Sequence, residues 1–178
     1  MEPTHPVPPA GVAPRASWHV RPGAAGDAAQ ALALIRELAA YERAASEVTL
    51  TLERFARDAE AGRFAWTVAV LEGANRVIGL ALHYPRYSTW KGATWYLEDL
   101  VVTEEWRGRG VGRALFEAVV LTAQTRGAAR LEWQVLDWNA PALAFYDRFG
   151  ADMDGAWING RLTDASMAAM NLQPSVHG

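Results

Sequence analysis

Two carboxylates, Glu98 and Asp99, stand side by side in "WYLEDLVV", a run otherwise made of aromatic and aliphatic residues. A few residues later three glycines interleave with other residues in "RGRGVGR", from Arg107 to Arg113. The first feature can hold a cationic amine or take its proton, and the second can offer backbone amides to an anion. An alkylammonium has a pKa near 10.4, so at neutral pH only about one molecule in a few thousand carries a free lone pair. Any reaction at such a nitrogen therefore needs a base. Strand alternation through this run sends Tyr96, Glu98 and Leu100 to one face and Leu97, Asp99 and Val101 to the other. It predicts that one carboxylate of the pair, not both, sits beside a given substrate.

The glycine turn separates an apolar strand from the amphipathic run "VGRALFEAVVLTAQT". A helix starting there exposes unpaired N–H groups and about half a positive charge, with Arg107, Arg109 and Arg113 adding full charges nearby. Gly110 and Gly112 let a bulky anion approach without a Cβ in the way. A Walker loop is excluded, because the Lys-Ser/Thr pair and its spacing are missing. A dinucleotide fingerprint fits poorly, since its third glycine is absent and the turn follows a hairpin instead of a first strand. The plain alternative is a structural turn with solvated arginines.

The elements that must position these groups follow from periodicity. A strand at Trp18 to Arg21 leads to a helix from Asp27 as N-cap to Tyr41, with Leu32, Ile35 and Leu38 on its apolar stripe. A second helix covers "TLERFARDAEAG". The stretch "FAWTVAVLEGANRVIGLALHYP" gives two strands joined by a tight turn, and "ATWYLEDLVV" a fourth strand. After the glycine turn come a helix to about Arg126, strand "RLEWQVL", helix "APALAFYDRFG", a last strand near "AWINGRL" and a short terminal helix. This is an α+β pattern, with a mixed, mostly antiparallel sheet of about six or seven strands flanked by helices.

Composition narrows the functional classes. The chain has 178 residues, of which 51% are hydrophobic, and a formal net charge of -3. That length suits one domain, here residues 17–173, between a Pro/Ala-rich tail at 1–16 and a short tail at 174–178. The acidic balance argues against a nucleic-acid partner, and no apolar run suits a membrane span. With no cysteine, thiolate nucleophiles and thiolate metal sites are excluded. His5, His19, His83 and His177 lack metal-ligand spacing, so no metal is expected.

Arg107, Gly110 and Gly112 fit R-x-x-G-x-G in a strand-turn-helix setting, and "WNAPALAFYDRFGA" fits N-x-x-A-x-x-F-Y-x-x-x-G. Together these resemble the two signatures of the GCN5-related N-acetyltransferases, in the family's order. "YLEDL", "YSTWKG", "VLDWN" and "RELAAYE" are similar to the spermidine/spermine N-acetyltransferase branch, and most of all to its thialysine-acetylating members. The similarity runs from about Val20 to about Leu172 and is weaker beyond Trp157.

The resemblance implies acetyl-CoA as co-substrate and direct acetyl transfer to a primary amine in a ternary complex. It implies Glu98 as base acting through water and Tyr146 as the acid that protonates the leaving thiolate. Cofactor contacts would come from the backbone of Leu100, Val101 and Val102, from Arg107, Gly108, Arg109, Gly110, Val111, Gly112 and Arg113, and from Asn139 and Tyr146. Amine contacts would come from Tyr41, Glu42, Ser88, Trp90, Glu98 and Asp99. Polyamine-acetylating relatives carry an acidic residue where this chain has Ser88, which favours a lysine-like amino acid whose α-carboxylate could meet Lys91 or Arg86. A cytoplasmic homodimer with a small amine as its partner molecule is implied as well. Polyamine acetylation and a non-catalytic acyl-CoA-binding module remain the alternatives.

Overall fold

The computed structural model describes residues 17–170 and 172, so the expected tails at 1–16 and 174–178 lie outside the described residues. The chain divides into two compact units, one up to Gln134 and one from Val135. The first holds the whole sheet, five strands in the order β1-β2-β3-β4-β5. These are β1 Trp18–Pro22, β2 Ala65–Leu71, β3 Arg76–Ser88, β4 Gly92–Val102 and β5 Leu131–Glu132. All neighbours are antiparallel except β4 and β5, which run parallel. Helices α1 (Ala28–Tyr41) and α2 (Leu52–Glu60) link β1 to β2, and α3 (Val111–Thr125) links β4 to β5. The second unit carries α4 (Ala140–Asp147) and α5 (Asp164–Ala169).

The α+β class and the element order match expectation up to the glycine turn, but the sheet has five strands where six or seven were expected. Of "RLEWQVL" only Leu131 and Glu132 pair with β4. "AWINGRL" forms no strand: Trp157, Ile158 and Leu162 are exposed, and apolar side chains alone do not make a strand without a partner edge.

Helix α1 is built from Ala and Leu, the strongest helix formers, and buries Ala28, Ala31, Leu32 and Leu34. Asp27 stands at its N-cap, yet its side chain makes no cap bond to the helix. The carboxylate instead accepts two bonds from Arg21, at 2.6 and 2.9 Å, and one from the Ala24 amide at 2.8 Å. The guanidinium beside it holds this carboxyl below its ordinary range. At the other end Arg43 takes a left-handed φ of 61°, and the Ala44 amide donates to the Ala39 carbonyl at 2.8 Å. That reversal ends the helix and leaves Tyr41 and Glu42 at its tip.

One sheet face packs on α1 and α2 through Trp66, Val68, Val70, Leu80, Leu82 and Val101, with Phe55 of α2 edge-on to Trp66 at 5.3 Å. The other face packs on α3. Gly79 of β3 marks that contact, since a Cβ there would lie 2.9 Å from Leu115 Cδ1 and 3.2 Å from Val111 Cγ1.

The register between β3 and β4 shifts beside the carboxylate pair. Leu82 faces Asp99 and His83 faces Leu97, which leaves Glu98 as an extra residue in a β-bulge. The bulge resets the alternation. Tyr96 faces Tyr84, Asp99 faces Leu82 and Val101 faces Leu80, so all three share the α1/α2 face, whereas Leu97 and Leu100 face His83 and Ala81 on the α3 side. The expectation that Asp99 points away from the face of Tyr96 is therefore corrected: uninterrupted alternation does not survive an inserted residue.

His83 anchors the pairing at this point. Its ring is buried, accepts from the Trp95 indole N–H at Nδ1 (2.9 Å) and lies 3.2 Å from the Thr67 hydroxyl through Nε2. Burial pulls its pKa down to about 4, so it is neutral, and with Nδ1 accepting, Nε2 carries the proton and donates to Thr67. Side chains of β2, β3 and β4 are thereby tied together next to the bulge.

The close approach of β3 to α3 predicts that Gly79→Ala lowers unfolding stability by about 1–3 kcal/mol, the usual cost of overpacking. Urea denaturation checks this. An unchanged midpoint would mean that α3 does not seat on Gly79 as described.

Candidate active site

Strand β4 runs through a 3-10 turn at Glu104–Trp106 into the glycine turn and α3. Gly108 and Gly110 have φ of 70° and 86°, a region that resists side chains. Gly110 is the N-cap of α3 and makes no side-chain cap bond, and the Ala114 amide donates back to the Gly110 carbonyl at 3.0 Å. The amides of Val111, Gly112 and Arg113 precede that first helical bond and have no capping side chain to accept from them. Gly112 has ordinary helical backbone, so conformation does not demand glycine there.

The three arginines surround this helix end, all exposed. Arg109 lies over the Trp106 ring at 5.0 Å, and Arg113 Nε donates to Glu117 at 2.7 Å. Arg107 Nε donates to the Val102 carbonyl at 3.0 Å, and its guanidinium lies 5.7 Å over the Tyr41 ring and 3.8 Å from Glu37. One arginine thus touches both the turn and the tip of α1. Open amides, a positive helix end and two left-handed glycines suit a diphosphate.

Pairing of β4 with β5 stops at Tyr96 and Glu132. From Leu97 to Val102 the outer edge of β4 has no strand partner among the described residues. The backbone of Leu100, Val101 and Val102 lies on that edge, while the Val101 side chain is buried in the core. An unpaired edge beside an anion-binding turn suits an extended amide-bearing arm.

On the α1/α2 face, the Tyr84 hydroxyl donates to Glu98 Oε2 at 2.6 Å, and the Tyr84 and Tyr96 rings lie 5.4 Å apart. Burial, and then the Glu98 carboxylate, raise the Tyr84 phenol well above its ordinary pKa, so it stays a donor. Glu98 is exposed and Asp99 partly buried. Burial pushes the Asp99 carboxyl up to about 6, and the charges of Glu98 and Glu42 push in the same direction. Burial also raises Glu42. Glu42, Glu98 and Asp99 therefore form one electronegative cluster, and such a cluster attracts an ammonium ion.

The chain from 30 to 151 matches the model of the acetyltransferase (GNAT) family. The chain belongs to this family. It is 37% identical over 140 residues to a thialysine N-epsilon-acetyltransferase of Bos taurus, covering 74% of this chain and 82% of that one. A thialysine N-epsilon-acetyltransferase of Caenorhabditis elegans is 35% identical over 144 residues, with 74% and 89% covered. Among solved structures, an aminoglycoside N-acetyltransferase in complex with CoA superposes with a TM-score of 0.68 at 18% identity, over 85% of this chain and 99% of that one. That likeness concerns the fold.

For a GNAT acetyltransferase, the first unit brings together the expected cofactor residues Arg107 to Arg113 and the unpaired edge at Leu100 to Val102. It also brings together Glu42, Glu98 and Asp99 of the expected amine contacts. Ser88 and Trp90 sit at the β3–β4 hairpin. Ser88 Oγ accepts from the amides of Trp90 and Lys91, at 3.2 and 3.3 Å, so it caps that turn, and Trp90 is exposed at the turn. In the second unit Asn139 is the N-cap of α4, its side chain accepting from the Ala142 amide, with Pro141 in the first turn; Tyr146 is buried on the same helix. Tyr84 was missed from the sequence, because only the strand register shows that its hydroxyl meets Glu98. Among the described residues no group of three His, Cys, Asp or Glu could hold a metal ion, and no helix is long and apolar enough to cross a membrane.

Protonation of Asp99 has two expected consequences. Below pH about 6 the cluster loses a charge, so the KM for a cationic amine rises as pH falls through 6, and Asp99→Asn flattens that rise. The folded-state pKa lies above the ordinary 3.8, so the folded protein holds this proton more tightly than the unfolded chain, and the stability this provides is lost as pH rises from about 4 to about 6. Asp99→Asn is then more stable than wild type at pH 7, with the advantage vanishing below pH about 4. Thermal melts and initial rates across this range check both; a pH-independent difference would remove Asp99 from the cluster.

Proposed function

We propose that this GNAT protein transfers the acetyl group of acetyl-CoA to the side-chain amine of a small lysine-like amino acid. The observation that carries the reading is the bulge at Glu98, which sets the Glu98 and Asp99 carboxylates together on β4, the strand that leads into the open amides of the glycine turn. In this reading those amides and Arg107, Arg109 and Arg113 hold the diphosphate, and the backbone of Leu100 to Val102 holds the pantetheine arm. Acetyl-CoA supplies the activated acetyl group as a thioester.

The roles of the side chains follow from proton bookkeeping. Asp99 and Glu42 draw in the ammonium, and Glu98 takes its proton through water while the Tyr84 hydroxyl fixes Glu98 Oε2. The departing sulfur needs a proton, and Tyr146 is the donor that the family resemblance assigns. A phenol near pKa 10 gives its proton to a thiolate near 8.5 uphill by about 2 kcal/mol, so placement matters more here than acidity. With no cysteine in the chain, direct transfer in a ternary complex is the simplest route. Ser88 carries no charge where polyamine-acetylating relatives are acidic, which favours an amino acid over a polyamine.

Thiol release from acetyl-CoA with thialysine, lysine, ornithine, spermidine and an N-terminal peptide tests the reading. The highest kcat/KM is expected for thialysine or lysine. A clear preference for spermidine would replace the substrate class, and no release with any amine would leave an acyl-CoA-binding module. Glu98→Gln should lower kcat/KM mostly near neutral pH, the deficit shrinking as alkaline buffer supplies free amine. An equal deficit at every pH would make Glu98 an electrostatic anchor, not a base.

A further inference from the structure

We infer that Arg86 reads the α-carboxylate of the amino-acid substrate and so sets the choice of amino acids over diamines; this rests on the function proposed above. Strand alternation places Tyr84, Arg86 and Ser88 on one face of β3, the face that also carries Asp99 across the bulge. The Arg86 guanidinium lies 5.2 Å above the Tyr96 ring, Tyr96 stacks beside Tyr84, and Tyr84 bonds Glu98. A continuous row of side chains thus runs from a cation at one end to the carboxylate cluster at the other. Lys91, the other cation near this hairpin, sits in its turn, beyond Ser88 and farther from the cluster.

Arg86 is also the arginine in this corner with donors to spare. Its nearest anion is Glu132 Oε1 at 3.8 Å, beyond hydrogen-bonding distance, and Arg130 holds the same oxygen at 2.9 Å. Two guanidiniums against one carboxylate leave a surplus positive charge, and the Arg86 side chain is 53% exposed. The cation–π contact stations the guanidinium while leaving its N–H fork for a planar carboxylate.

Length is consistent with this pairing. Arg86 lies four residues along β3 from Leu82, the partner of Asp99, a rise of about 13 Å. The long Arg86 side chain and the carboxylate side chains reach into that interval from its two ends. A flexible four-carbon stem with a carboxylate at one end and an ammonium at the other is the kind of ligand it suits. A diamine brings no carboxylate to offset the ammonium it presents at this end, so the like charge of Arg86 discriminates against it.

The test compares lysine with cadaverine, which is lysine without its carboxylate. Both carry an ammonium at each end, so the ratio of their kcat/KM values isolates the carboxylate. Wild type should prefer lysine, Arg86→Met should cut that ratio by about tenfold or more, and Arg86→Lys should keep part of it. Acetyl-CoA affinity, followed by thermal shift, reports that the variants remain folded. A lysine-to-cadaverine ratio unchanged in Arg86→Met overturns the inference and leaves the acetyltransferase reading intact. Failure of the wild type to acetylate any amine overturns that reading and this inference together.

Discussion

A single inserted residue in β4 is the constraint on which the rest of the site depends. Without the bulge at Glu98, strict alternation would send Asp99 and Val101 to the α3 side, removing one carboxylate from the cluster and one side chain from the α1/α2 core. With it, Asp99 joins Glu98 and Glu42, and Val101 closes the core beneath them. Burial, and after it the charges of Glu98 and Glu42, raise the Asp99 pKa to about 6, so keeping that carboxyl ionised costs stability. A cation placed beside the three carboxylates would lower that cost.

The bulge is held from both faces. On the α3 side, neutral His83 links to Trp95 and Thr67 next to the inserted residue. On the α1/α2 side, Tyr84 bonds the inserted residue itself. The same strand then leads into the glycine turn, where Arg107 bonds the Val102 carbonyl and covers Tyr41 at the end of α1. The Glu98–Asp99 pair and the glycine turn consequently follow one another along one stretch of chain and share a rigid reference, a condition that productive orientation would require.

Much of this was legible in the sequence. Local signals carried α1, α2, the β2–β3 hairpin, β4 and the glycine turn, because periodicity and glycine placement act within a few residues. The glycine motif marked the turn and the adjacent carboxylates marked Glu98 and Asp99, whereas Glu42 rested on the resemblance of "RELAAYE" alone. What escaped was non-local. A bulge cannot be seen in "WYLEDLVV" alone, since it exists only in the register against "GLALHYPRYS", and so Tyr84 and the shared face of Glu98 and Asp99 went unread. Strand "RLEWQVL" failed for a related reason: apolar residues favour a strand, but only Leu131 and Glu132 found a partner in β4.

The most direct measurement of the bulge is an NMR titration of the Asp99 side-chain carboxyl in wild type and in Glu98→Gln. Burial already raises the Asp99 pKa toward about 6 in the free protein, and a shared face predicts that it falls when the Glu98 charge is removed and falls again when lysine binds. An Asp99 carboxyl that titrates near its ordinary 3.8 and ignores Glu98→Gln would contradict it, and would put the two carboxylates on opposite faces of the strand.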